Sequence, residues 1–174
     1  MHSLTDNEKT DNEKTNANEL ATEEIIAKAL AAGFSQAAVM NAAELVYVPE
    51  YRKYCEENVC GNYNKLPVCP PACGTVEEMH ASMLPYSKAL VLQTELVPLK
   101  KEKAEYLAGK RKHNQLMDLL LPELHLQDCL VMSAGPWKNY SCMSAYSIDA
   151  AKMAESCHSH QKFSIGLAGA FLFG

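Results

Sequence analysis

Apolar residues Ile25, Ile26, Ala29 and Leu30 fall on one stripe at helical spacing. Thr22 can cap that helix, Glu23 and Glu24 suit its first turn, and Gly33 is placed to end it. The apolar run AAVMNAAELVYV, 37–48, reads as a strand pair or one irregular strand. Thr75-Val76-Glu77-Glu78 is a capping-box pattern that opens a helix to about Leu84. The run KALVLQTELV, 88–97, predicts a strand. Leu99, Tyr106, Leu107, Leu116 and Leu120 then keep helical spacing over 99–121, with Gly109 a weak point and Pro122 a stop. A short strand at 129–132, a turn at SAGPW, a helix over 147–157 opened by Ser147 or Asp149, and a closing strand in FSIGLAGAFLFG complete the pattern. Helices alternating with short strands predict an α+β (or α/β) fold: a single domain with a small mixed sheet flanked by helices.

Ahead of that pattern the chain is polar, and residues 5–14 repeat TDNEK in tandem. A repeat so short and hydrophilic is no architectural unit, so 1–20 reads as a disordered arm and 21–174 as the domain. The arm has no apolar segment of the secretory kind, and no run approaches the roughly 20 apolar residues of a membrane span. Of 174 residues, 48% are hydrophobic, enough for one buried core. The net charge of −5 disfavours nucleic acid, and the cations at Lys100, Lys101, Lys103, Lys110, Arg111 and Lys112 suit a solvated helix face. The expectation is a cytoplasmic protein with neither membrane nor nucleic acid as partner.

One segment does not fit the helix–strand pattern. CEENVCGNYNKLPVCPPAC places Cys55, Cys60, Cys69 and Cys73 in nineteen residues, four of the seven cysteines of the chain. With Gly61, Pro67, Pro70, Pro71 and Gly74 it must be loop. In a reducing compartment, clustered thiols are more often metal ligands or catalytic groups than disulfides, and seven cysteines cannot all pair. Glycine directly after Cys60 and Cys73 lets the chain wrap around a centre, and Pro70-Pro71 stiffens it. The x4, x8 and x3 spacings lack the paired Cys-x-x-Cys knuckles of zinc modules, so the metal stays open on spacing.

The stretch "YRKYCEENVCGNY…CPPACGTVEEM" resembles a family of cysteine-rich prokaryotic proteins described as predicted metal-binding proteins of unknown function. Its hallmark, C-x4-CG-x-Y…CPP-x-x-G, is matched by Cys55, Cys60, Gly61, Tyr63, Cys69, Pro70, Pro71 and Gly74. The resemblance extends from about Thr22 onward, through SAGPW and CMSAYSIDAAKMAESC. It implies a cysteine-bound metal, iron–sulfur or another, without an established reaction. Relatives follow the late glycine-proline turn with Cys-x-x-Cys. Here Gly135-Pro136 leads to Trp137 and Tyr140, and only Cys142 remains before SAYSID. Since aromatics do not ligate soft metals, the family's second cysteine cluster is expected to be lost.

Other constellations are thin. Cys129 and Cys157 read as small buried hydrophobes, and His158 and His160 in CHSH as surface residues rather than zinc ligands. His80, His113 and His125 read as structural or exposed. Asp149 and Glu155 have no paired carboxylate, and no phosphate loop, HExxH or G-x-S-x-G is present. Arg52 and Lys53 can offset the negative charge of a thiolate centre or simply face solvent. The leading expectation is a metal site on Cys55, Cys60, Cys69 and Cys73 holding an iron–sulfur cluster, 4Fe–4S before other forms, for electron transfer or sensing with an unknown redox or protein partner. The alternative is a structural zinc module that binds a partner. A thiol redox enzyme comes third, for want of a Cys-x-x-C pattern.

Overall fold

The computed structural model describes residues 6–95, 103–157 and 166–174. Five strands form one sheet in the order β1-β2-β5-β3-β4, with β1 Gln36–Asn41, β2 Lys88–Glu95, β3 Leu130–Ser133, β4 Ser141–Cys142 and β5 Gly166–Phe173. Among the described residues, only the short β3–β4 pairing is parallel; the other three pairings are antiparallel. Parallel strands joined by helical crossovers would have made an α/β fold. The fold is therefore α+β, a mixed sheet flanked by helices.

Central strands β2 and β5 are covered on both faces, which explains their unbroken apolar runs. Along β2, Ala89 and Val91 enter one core while Leu90 and Leu92 enter the other, and all four are fully buried. The second core lies under α1 (Asp6–Ala32) and α4 (Lys103–Leu124), with Ala29, Phe34, Met117, Leu120, Val131 and Phe171. The first lies under α3 (Val76–Met83), α5 (Ala150–Cys157) and the 3-10 turn Met143–Tyr146. Every thiol-rich segment sits on this first face.

The Thr75 capping box forms as read: its hydroxyl accepts from Glu78 N at 3.1 Å, and Glu78 Oε2 accepts from Thr75 N at 3.0 Å. Asp149, of the two candidates, caps α5 by accepting from Lys152 N at 3.0 Å. Three boundaries differ from expectation. The helix ending at Gly33 begins at Asp6, so Thr22 lies inside it; no glycine or proline precedes Gly33, and Glu, Lys and Ala tolerate a helix well. Helix α4 runs two residues past Pro122 and ends before His125, whose φ of 49° is left-handed. The run at 37–48 is split: β1 pairs with β2, the chain turns at Ala42–Glu44, and Tyr47 bridges to Ile148.

Helix α4 presses against β5 at Gly169, where a Cβ would stand 2.7 Å from Met117 Sδ and 3.0 Å from His113 Nε2. His113 is fully buried, its Nδ1 sharing a 2.7 Å hydrogen bond with Thr94 Oγ1 and its Nε2 without a partner. Burial lowers its pKa from 6.5 to about 4. The unfolded chain thus takes up a proton that the folded chain refuses. Stability is complete above the unfolded value and is lost as pH falls from 6.5 toward 4. Thermal unfolding between pH 7.5 and 4.5 should show this loss, roughly 3 kcal/mol at most from this one group. A His113→Gln chain should lose less stability over the same interval; an identical loss would show that His113 is not responsible.

Candidate metal centre

Cys55 lies not in loop but on the short helix α2, Arg52–Glu56. From there the chain passes through tight turns: Asn58 N donates to Cys55 O at 3.0 Å and Gly61 N to Asn58 O at 3.1 Å. Asn58 Oδ1 accepts from Tyr63 N at 3.0 Å. Cys60 is at the exposed tip, followed by Gly61 with φ +78°. The return limb is folded against this one, with Asn64 N bonded to Pro70 O at 2.8 Å and Cys73 N to Cys69 O at 3.1 Å. Cys69 is 5% exposed, whereas Cys55 and Cys73 are half-buried. Gly74, at φ +128°, turns the chain into α3; a side chain there would crowd the capping carboxylate of Glu78 at 3.0 Å.

Two side chains tie this loop to the far end of the sequence. Arg52, buried one helical turn before Cys55, donates from Nη1 to Gly74 O at 2.8 Å and from Nη2 to Ala145 O at 3.0 Å. Ser141 donates from Oγ to Val68 O at 2.8 Å, next to Cys69. These bonds bring up Cys142, at the end of β4, which packs on the same core as Cys73. Tyr51 adds a third tie, donating its hydroxyl to Asp149 Oδ2 at 2.9 Å.

The thiols sense one another. Burial first, then Cys142, then Cys60 and Cys73 push the Cys55 thiol up to about 11, with Arg52 opposing. Cys69 is also pushed up to about 11, by burial and then by Cys142, Cys60, Cys73 and Cys55. Cys73 is raised by burial and by Cys142, against the pull of Arg52 and of its own backbone. Tyr146 is held near 12 by burial, with Cys73 and Cys142 among its neighbours. Five sulfurs therefore share one electrostatic neighbourhood.

As a set they suit a soft metal, being thiols alone. Among the described residues, no three His, Cys, Asp or Glu side chains are already drawn together tightly enough to hold an ion. Metal binding therefore requires side-chain rearrangement and release of the thiol protons. Raised thiols are the opposite of what a reactive cysteine needs, which weighs against thiol catalysis. Arg52 supplies the complementary observation. Its guanidinium is buried, its Nε has no partner, and no carboxylate pairs with it among the described residues. A buried cation without a counter-charge is costly, and an anionic thiolate centre beside it would provide one. Lys53 faces solvent.

The remaining candidates fall elsewhere. Cys129 packs in the α1–α4 core on the opposite face. His80 stacks on Tyr47 with ring centroids 3.8 Å apart, and His125 is exposed. Asp149 is spent on the α5 cap and Tyr51, and its carboxyl is lowered chiefly by the Lys152 N–H. His158 and His160, like Lys100 and Lys101, lie outside the described residues. Trp137 and Tyr140 close a tight turn through Tyr140 N to Trp137 O at 2.8 Å. Trp137 Nε1 donates to Asp118 of α4 at 2.9 Å, Lys138 Nζ meets the same carboxylate at 2.7 Å, and Tyr140 packs in the α4 core. The residue that spacing alone passed over is Cys142, an isolated thiol in sequence. Its one signal was its place in the segment that the resemblance implies to be cysteine-rich.

No curated protein and no solved structure matches the chain significantly. Among the described residues, no helix is long and apolar enough to cross a membrane. A family model does match, over residues 38–139, a span that contains the whole Cys55–Cys73 loop and ends short of Cys142. The chain belongs to the family described as "Predicted metal-binding protein (DUF2284)".

Proposed function

We propose that this chain is a cytoplasmic metal protein whose thiol cluster holds an iron–sulfur centre, 4Fe–4S before other forms, for electron transfer or sensing. The observation that carries the reading is a set of five cysteines on two segments, 55–73 and 141–142, tied together beside a buried guanidinium that has no carboxylate partner among the described residues. Ligands would come from Cys55, Cys60, Cys69, Cys73 and Cys142. When bound, such a centre supplies a one-electron carrier whose potential responds to net charge, hydrogen bonds and solvent exposure. Arg52 would offset part of its charge, while Met79, Met83 and Tyr146, buried in the core on which Cys73 and Cys142 lean, would keep water from it. The exposed Tyr54 and Val59 flank the outer limb, where a redox or protein partner would approach.

Structural zinc is the second reading, favoured by a specific feature. Few side chains of the 55–73 loop are buried, so a bound ion would be its main brace. The two readings separate on anaerobic purification and reconstitution with iron and sulfide. A coloured protein with matched iron and sulfide supports the first. A colourless chain that refuses iron but retains stoichiometric zinc, and unfolds on chelation, moves the function to the second. Loss of both metals without structural consequence rejects metal binding.

Arg52 offers an independent check. Arg52→Met should weaken metal binding about 10- to 100-fold, the usual cost of losing a supporting group around a metal. Arg52→Lys keeps the charge and should retain most of the affinity in chelator competition. Equal losses in both variants would reduce Arg52 to a strut between two carbonyls.

A further inference from the structure

We propose that the centre is ligated by Cys55, Cys69, Cys73 and Cys142, and that Cys60 stands outside the ligand set. This rests on the metal reading above and says which four of the five thiols realise it.

The argument begins with what holds each thiol in place. Arg52 is on the same short helix as Cys55, and its two bonds reach the residue after Cys73 and the third residue after Cys142. One side chain thus fixes three thiol-bearing segments relative to each other. Ser141, directly before Cys142, binds the carbonyl of Val68, directly before Cys69. The second tie brings in the fourth segment. Cys60 belongs to neither tie. Its turn is held by local bonds around Asn58, and among the described residues no hydrogen bond reaches it from the core side.

Burial and support sort the thiols the same way. Cys69 is buried, Cys55, Cys73 and Cys142 are half-buried, and Cys60 is exposed beside Val59, itself 84% exposed. Cys73 and Cys142 lean on one core, and Cys142 is anchored in a sheet strand paired to Ser133. Ligands on rigid, packed supports lose less freedom on binding than a thiol at a solvated turn. Sequence order hid this arrangement, because Cys142 is distant along the chain and beyond the stretch that matches the family. Trp137 and Lys138, clamped on Asp118, brace the turn that leads to Cys142.

The test is pulsed alkylation with mass spectrometry on the full chain, metal-free and after anaerobic loading with iron and sulfide or, in parallel, with zinc. Cys129, on the opposite face, is the internal control. On loading, labelling of Cys55, Cys69, Cys73 and Cys142 should slow by about tenfold or more, while Cys60 labels at its metal-free rate. In chelator competition, Cys60→Ser should bind metal within about threefold of the unmodified chain, and Cys142→Ser should lose about 100-fold or more. The labelling pattern needs no variant, so a misfolded Cys142→Ser chain leaves it decisive. Protection of Cys60 on loading, or free labelling of Cys142, overturns the ligand set while leaving a metal centre in place. A chain that takes up neither metal, with all thiols labelling alike, overturns the metal reading itself and the ligand set with it.

Discussion

The guanidinium of Arg52 joins parts of the chain that lie far apart in sequence. It leaves a helix of only five residues, reaches the carbonyl of Gly74 in one direction and that of Ala145 in the other, and is buried while doing so. Arginine suits this task because its planar fork presents several donors at fixed angles and keeps its charge when desolvated. Burying that charge costs several kcal/mol unless something negative is near. The described residues provide no carboxylate partner, but they do provide thiols on both of the segments that Arg52 bridges. Structure and chemistry thus place the same demand on one spot. The strut that gathers the cysteine segments is also the cation that favours their ionised form.

This knot is supported by a sheet that is well anchored on both sides. The apolar runs of β2 and β5 fill two cores at once, and α4 locks the opposite face by packing at Gly169. The same helix reaches around the edge of the sheet. Asn114 holds Ala134 by both its amide oxygen and its amide nitrogen, and Asp118 holds Trp137 and Lys138. Helix α4 therefore positions the turn that leads into β4, and through it Cys142. Stability on one face is converted into geometry on the other.

Local chemistry was legible where it acts over a few residues. The Thr75 capping box, the stop at Gly33 and the glycine turn after Cys73 all depend on near neighbours and stand where their patterns placed them, and Asp149 is one of the two caps its pattern offered. The start of α1 and the passage of α4 through Pro122 were not legible. A weak cap does not begin a helix when good helix formers precede it, and Pro122, which cannot donate to the carbonyl four residues back, stops the helix two residues later than its own position. The strand run at 37–48 divided because its second half pairs across the molecule with Ile148.

By itself the sequence determined a mixed helix-and-strand chain, α+β or α/β, a family resemblance, and a segment dense enough in thiols to imply metal chemistry. Those are properties of composition, short-range spacing and motif, which survive without knowledge of the fold. The tertiary structure alone decided that Arg52 is buried and unpaired while Lys53 faces water, that Cys129 belongs to the far core, and that Cys142 joins the loop. The physical reason is the path of the chain: two side-chain-to-backbone ties and a short edge strand bring distant residues together, and no local periodicity records a contact of that kind.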